Sequence, residues 1–214
     1  MKWLIVLMSL LLVGCAAKVE VPIVTRADII KGMGESTVAL MVMDEESISV
    51  NCTGVWVGID RIMTADHCLD KEEVIFIMVG EDNGVDKRPK ALHFGSVEKR
   101  DSVNDLGLIR TREKLVHRVA GLSMTESVVG DDVHIVGHVR GMYWTYMRGV
   151  VSGYREGLRS PARVMQVSAP IFFGNSGGGI FNDAGELVGI TSFIGRAPNM
   201  GFTATLDPMR EIMK

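Results

Sequence analysis

The chain has 214 residues, 47% of them apolar, with 23 basic and 26 acidic side chains and a net charge of −3. That length holds one large domain or two small ones, and the apolar share is ample for a buried core. There is no basic excess of the kind nucleic acid requires, so nucleic acid is not an expected partner.

Met1-Lys2 precedes a largely apolar run, Trp3–Val13, that suits a secretory signal and is too short to span a bilayer comfortably. The run ends in Leu12-Val13-Gly14-Cys15, which resembles a bacterial lipobox. On that reading residues 1–14 are a signal peptide, and Cys15 becomes an acylated (palmitate-bearing) N-terminus. Two or more acyl chains then anchor the protein to a membrane. Ala16 follows instead of aspartate, which favours the outer membrane if the host is Gram-negative. The competing reading is a plain secretory signal with a chance cysteine. Residues 15–35 read as a tether, extended near Lys18–Pro22 because Pro22 discourages helix, with a short helix near Ala27–Lys31.

From Ser36 the pattern turns to strands. They are expected at Val38–Met43, Ser47–Ile59, Arg61–Ala65, Glu73–Val79, Lys90–Val97 and Leu106–Arg110. Leu115–Leu122 reads as a connection. A second set follows at Asp132–Val139, Tyr143–Tyr154, Ala162–Ser168, Gly179–Asn182, Leu187–Ser192 and Gly201–Thr205. Asn182-Asp183-Ala184-Gly185 is a hairpin turn. Asp207–Met213 reads as a short C-terminal helix with Asp207 as N-cap and Pro208 at the first helical position. Periodicity establishes an all-β protein and shows no internal repeat.

The chemistry concentrates at Gly174-Asn175-Ser176-Gly177-Gly178. Glycines let a backbone bend sharply and approach a substrate closely. A serine in such a bend can present its hydroxyl, and the N–H groups of Gly174 and Ser176 can converge as an oxyanion hole. A serine hydroxyl needs a base, and the base needs an orienting partner. All five histidines, His67, His93, His117, His134 and His138, precede Ser176. That order excludes the α/β-hydrolase arrangement, in which the histidine comes last. The order His, Asp, Ser stays open, and two segments fill it: Thr64-Ala65-Asp66-His67-Cys68 and Asp105-Leu106-Gly107-Leu108-Ile109.

With Gly174–Gly178, these segments resemble the three signature segments of trypsin-like (chymotrypsin-fold) serine proteases. The run GNSGGGIFNDAGELVGITSF followed by MGFTATLDPM is similar to the bacterial HtrA-like group, with Gly179 where proline is usual. The resemblance covers about residues 36–214. It implies two six-stranded antiparallel β-barrels, about 36–115 and 122–205, and a helix at about 207–213. Because the chain stops at Lys214, the expectation is a protease unit without the PDZ domain that the group usually carries.

The resemblance also implies roles. Ser176 is the nucleophile, His67 the general base and Asp105 the carboxylate behind it, with Asp101 as the rival acid. Cys52 and Cys68 form a disulfide that pins the histidine segment, and metal binding by those cysteines with His67 is the competitor. Asp66 stands where alanine is usual, as a solvated carboxylate or one that raises the histidine pKa. The other four histidines read as surface or strand residues. Asn175 replaces the aspartate of zymogen-type enzymes, so no activation by a buried N-terminus is expected. Pro170 occupies the base of the specificity pocket, and Ile190-Thr191-Ser192-Phe193 its wall. None is acidic, so small to medium apolar residues are expected before the scissile bond (P1). No cofactor or metal is called for. The expected partners are a protein or peptide substrate and, through Cys15, a membrane. The alternative is an envelope lipoprotein that acts by interaction on a protease fold.

Overall fold

The computed structural model describes residues 24–43, 48–69, 75–81, 88–114 and 117–214. The expected signal peptide, Cys15 and most of the tether lie outside the described residues. Among the described residues, no helix is long and apolar enough to cross a membrane.

Among the described residues, twelve strands form two closed barrels. The first is built from β1 (Thr37–Met43), β2 (Ile48–Trp56), β3 (Arg61–Thr64), β4 (Ile75–Glu81), β5 (Arg88–Asp101) and β6 (Leu106–Thr111). The second comprises β7 (Asp132–Val139), β8 (Met142–Glu156), β9 (Arg163–Val167), β10 (Gly179–Phe181), β11 (Leu187–Ile194) and β12 (Gly201–Ala204). The spatial orders are β1-β2-β3-β6-β5-β4 and β7-β8-β9-β12-β11-β10, so the second barrel repeats the first without any visible sequence repeat. Every pairing between named strands is antiparallel. Closure removes exposed sheet edges.

The all-β, two-barrel expectation holds strand for strand, but β5 and β8 run longer than the alternation suggested. Both carry register shifts, between Val97 and Lys99 and between Val151 and Gly153. A bulge puts two residues opposite one, breaks the in–out alternation and bends the strand around the barrel.

Each barrel has its own apolar interior: Val38, Leu40, Trp56, Ile62 and Ile77 in the first, and Val133, Ile135, Val151, Met165 and Ile180 in the second. A third cluster joins them, with Val55, Met63 and Leu108 meeting Val136, Phe181 and Ile190. This shared core fixes the two barrels against each other.

Two helices seal the joint. Helix α1 (Arg26–Glu35) is longer than the expected 27–31 and starts with a reciprocal cap. Thr25 Oγ1 accepts from the Asp28 N–H at 3.2 Å, and Asp28 Oδ2 accepts from the Thr25 N–H at 2.9 Å. Its Met33 is buried in the shared core. Helix α2 (Leu206–Ile212) begins one residue earlier than expected. Its N-cap is Thr205, not Asp207, and Pro208 sits at the third position. Proline is tolerated there because the first four helical N–H groups have no intrahelical acceptor. Arg210 Nη2 donates to the carbonyls of Ser123 and Met124 and pins α2 to the inter-barrel connection.

Candidate active site

Register brings the histidine and the aspartate together. β3 pairs with β6 so that Met63 opposes Leu108 and Thr64 opposes Gly107. His67 follows the end of β3 in a 3-10 turn (Asp66–Leu69), and Asp105 precedes the start of β6. The two side chains leave the same end of adjacent strands. His67 Nδ1 lies 2.9 and 3.0 Å from the Asp105 carboxylate oxygens, and the His67 backbone N–H donates to Oδ1 at 3.0 Å. Ser192 Oγ donates to Asp105 Oδ2. Burial pushes the Asp105 pKa up, but the hydrogen bonds from His67 and Ser192 outweigh it and hold the carboxyl below its ordinary value. Asp105 sits at φ 52°, a left-handed conformation that Asp and Asn tolerate better than most residues.

Asp101, the rival acid, does other work. Its carboxylate accepts from the N–H groups of Val103 and Asn104 and from the Asn104 amide, which shapes the loop that ends in Asp105. Asp66 is not a solvated carboxylate. It is buried, bonded to Arg100 Nε at 2.5 Å and to Ser102 Oγ at 2.7 Å, so its charge is matched by β5.

The serine loop is held from the first barrel. The Thr53 N–H donates to the Ser176 carbonyl at 2.8 Å, and Thr53 Oγ1 donates to the Gly174 carbonyl at 2.7 Å. Cys52 and Cys68 are joined by a disulfide across a sequence separation of 16. With both sulfurs so used, the Cys52–His67–Cys68 trio presents no thiolate to a metal. The Cys68 sulfur lies 3.7 Å from the Ser176 carbonyl. Thus Thr53, next to Cys52, grips the serine loop, and Cys68, next to His67, touches it.

Residues 172–175 form a turn closed by the Asn175 N–H on the Phe172 carbonyl at 3.1 Å. Gly174 occupies its third position at φ 97°, which a type II turn requires. A Cβ there would lie 1.9 Å from the His138 carbonyl oxygen. The Phe173 carbonyl accepts from the Arg140 N–H at 3.0 Å. The peptide is planar and trans, so the Gly174 N–H points the opposite way. Among the described residues no acceptor takes the N–H of Gly174 or of Ser176. Gly177, at φ 80°, is equally confined, because a Cβ would meet Thr64 Oγ1 at 2.0 Å. Asn175 is fully buried, with Nδ2 3.4 Å from Met147 Sδ, and its Oδ1 has no hydrogen-bond partner among the described residues.

These groups open onto a cleft of about 480 Å³ between the barrels. His67 and Asp105 line one side. Ser176, Ile171, Phe172, Phe173, Ser192 and Phe193 line the other. The expected specificity residues are only partly there. Ile190 is in the shared core, and Thr191 is fully buried with its backbone paired to Gly177 and Gly178. Pro170 does not line the cleft; Ile171, one residue on, does. Ile171 packs against Gly201 so closely that a Cβ on Gly201 would lie 2.2 Å from its Cδ1. Ser192 lines the cleft and also bonds Asp105. Sequence reasoning missed Thr53, Arg100, Ser102 and Ile171.

The remaining histidines lie elsewhere. His134 is buried between Tyr146 and Asp183, and His117 stacks on Trp56. Burial and the neighbouring His93 push the His117 pKa down. His138 packs against Tyr143 and Trp144.

Two closed barrels with serine, histidine and aspartate gathered at the cleft between them define the chymotrypsin-fold class of serine proteases. The chain belongs to the trypsin-like peptidase domain family, which it matches over residues 52–190. It is 24% identical over 184 residues to the serine endoprotease DegS of Haemophilus influenzae, covering 80% of this chain and 52% of that protein. It is 31% identical over 157 residues to the magnetosome formation protease MamE of Magnetospirillum gryphiswaldense, covering 70% of this chain and 19% of that protein. The chain therefore spans about half the length of the first relative and a fifth of the second. Among solved structures, the HtrA-type protease AlgW with a decapeptide superposes with a TM-score of 0.74 at 20% identity, covering 89% of this chain and 66% of that one. The serine endoprotease from Yersinia pestis superposes with a TM-score of 0.72 at 21% identity, covering 91% and 66%. At those identities the structural likeness speaks to the fold.

Proposed function

We propose that the chain is a serine endopeptidase that cleaves peptide bonds through an acyl-enzyme, with Ser176 as nucleophile, His67 as general base and Asp105 as its orienting carboxylate. Ser176 Oγ attacks the scissile carbonyl and passes its proton to His67. His67 returns that proton to the leaving amine, and water then hydrolyses the ester by the same relay. Asp105 holds the imidazole in the tautomer with the proton on Nδ1 and stabilises the imidazolium. The N–H groups of Gly174 and Ser176 receive the oxyanion. The observation that carries this reading is the His67–Asp105 contact at 2.9 Å, facing a cleft into which Thr53 and the disulfide hold Ser176.

Specificity follows from the cleft wall. Ile171, closed down on Gly201, leaves a shallow apolar floor without a carboxylate, which suits a small to medium apolar P1 residue. The edge of β11 at Ser192–Ile194 offers backbone groups to an extended substrate.

The location is the bacterial cell envelope, with the chain anchored by acylated Cys15. Its support is the Leu12–Cys15 motif and relatives such as the periplasmic serine endoprotease DegP of Escherichia coli. Fatty-acid labelling of the wild type, absent in Cys15→Ala, tests the anchor.

A fluorophosphonate probe and a fluorogenic peptide with alanine or valine at P1 test the catalysis. Wild type labels and cleaves. Ser176→Ala loses labelling and about 10⁴–10⁶-fold in rate. Wild type that neither labels nor cleaves would favour the interaction reading instead.

A further inference from the structure

One cation at the cleft has no use in the mechanism above. Arg159 lies in the loop between β8 and β9 and lines the same cleft as His67 and Ser176. Its guanidinium carbon stands 4.3 Å from the centroid of the Phe193 ring. Phe193 is itself stacked on Phe202, with centroids 4.7 Å apart and planes 21° from parallel. A guanidinium over an aromatic face is attracted by the ring quadrupole and loses rotamer freedom before any ligand arrives. The five donors of the guanidinium match a carboxylate in a planar fork.

The other charges at the cleft are already matched. Asp66 is bonded to Arg100 and Ser102, and Asp105 to His67 and Ser192. Arg163, four positions on, is paired with Glu126 through both terminal nitrogens. Among the described residues, no carboxylate pairs with Arg159. A substrate lying in the cleft therefore meets one uncompensated positive charge.

The position of that charge along a substrate follows from β11. Its edge toward β10 is paired up to Thr191, which bonds Gly177 and Gly178. Beyond it the edge at Ser192–Ile194 faces the cleft. A strand added there continues the antiparallel order of β10 and β12. It runs its N-terminal residues toward Ile194, away from His67, and its reacting carbonyl toward Ser176. At about 3.3 Å per residue, the side chains two to four residues before the scissile bond pass Phe193 and the cation above it.

We propose that Arg159, seated on Phe193, is an anion subsite that makes the enzyme prefer peptides with an acidic residue two to four positions before the scissile bond. The inference rests on the proposed endopeptidase reading for the direction of the substrate, and it adds a selectivity that reading does not contain.

The test uses peptides identical except for Glu, Gln or Lys, placed in turn at each of those three positions. For the wild type, kcat/KM favours Glu over Gln by about two- to fivefold at one position or more, as an exposed ion pair provides, and favours Gln over Lys. The preference shrinks when salt is raised. Arg159→Gln brings the Glu-to-Gln ratio to one, Arg159→Lys retains part of it, and Arg159→Glu inverts it toward Lys. Binding of the same peptides to Ser176→Ala, followed by fluorescence anisotropy, reads the subsite with no bond broken. Preferential binding of acidic peptides by a chain that does not cut would keep the subsite and end the proposed catalysis. Cleavage and binding indifferent to charge at all three positions, or a preference unchanged in Arg159→Gln, would overturn the subsite and leave catalysis standing.

Discussion

Thr53→Val is the most informative single change, because it removes one hydroxyl and almost no volume from a buried site. That hydroxyl donates to the Gly174 carbonyl at 2.7 Å and accepts from the His138 N–H at 3.2 Å. Valine takes this donor away from the buried Gly174 carbonyl. An orphaned buried carbonyl costs about 1–3 kcal/mol, so the variant should lose about that much and melt roughly 2–12 °C lower. The second effect is kinetic. The Gly174 carbonyl belongs to the turn that aims the Gly174 N–H, and losing one oxyanion donor outright lowers kcat about 10²–10³-fold. A donor set adrift and not deleted should lower kcat at least tenfold with little change in KM, because that interaction is made in the transition state. Thr53→Ser keeps the hydroxyl and should keep kcat. The assays are calorimetry and initial rates on a fluorogenic peptide well below the melting temperature. A Thr53→Val enzyme that melts lower yet keeps kcat within twofold would show that the hydroxyl supports the fold without aiming the oxyanion donors.

Three other outcomes follow from buried and half-buried groups. Asn175→Asp places a carboxylate in a fully buried site where, among the described residues, the side chain's one hydrogen-bond partner is Met147 Sδ and no Lys or Arg bonds it. Its folded-state pKa must rise above about 3.9, so the variant should approach wild type below pH 4 and lose several kcal/mol toward neutrality. Equal melting temperatures at pH 7 would refute this. Replacing Cys52 and Cys68 by serine should remove about 3 kcal/mol by loop entropy and, on the proposed mechanism, lower activity with it, since the bridge joins the His67 segment to Thr53, which holds the Ser176 loop. Unchanged stability in chemical denaturation would contradict it. Asp105 has a depressed folded pKa, so its contribution is present in full above the unfolded value near 3.9 and is lost as pH falls through the lower folded value. Asp105→Asn should flatten the stability–pH profile in that acid range, and a profile parallel to wild type would argue against the pairing.

Much of this molecule could be read from the chain because its strands are short and punctuated. The segments carrying His67, Asp105 and Ser176 stand out because they resemble the family's signature segments, in which residue types recur at fixed offsets. What escaped was long-range and side chain to side chain. Asp66 looked solvated because its partners, Arg100 at the end of β5 and Ser102 just beyond it, lie more than thirty residues away. Thr53 looked like an ordinary β-former, since nothing local reports a bond to Gly174. The wall residues Ile190 and Thr191 were misplaced because they lie on the stretch of β11 still paired with β10 and the serine loop, where the barrel buries them. The start of α1 was legible in principle, as Thr25 and Asp28 have the spacing of a reciprocal cap.

The steric confinement of Gly174 and Gly177 divides the molecule into a part that can evolve and a part that cannot. Either position would have to expel a neighbour's backbone or hydroxyl to accept even alanine. The loop bearing Arg159 is not packed in this way: among the described residues nothing stands within 4 Å of a Cβ placed at Gly157, whose φ of 67° still favours glycine, and Leu158 is exposed. On the proposed reading, descendants of this chain are free to change what they cut by rewriting residues 158–161, while the loop that bears Ser176 stays locked.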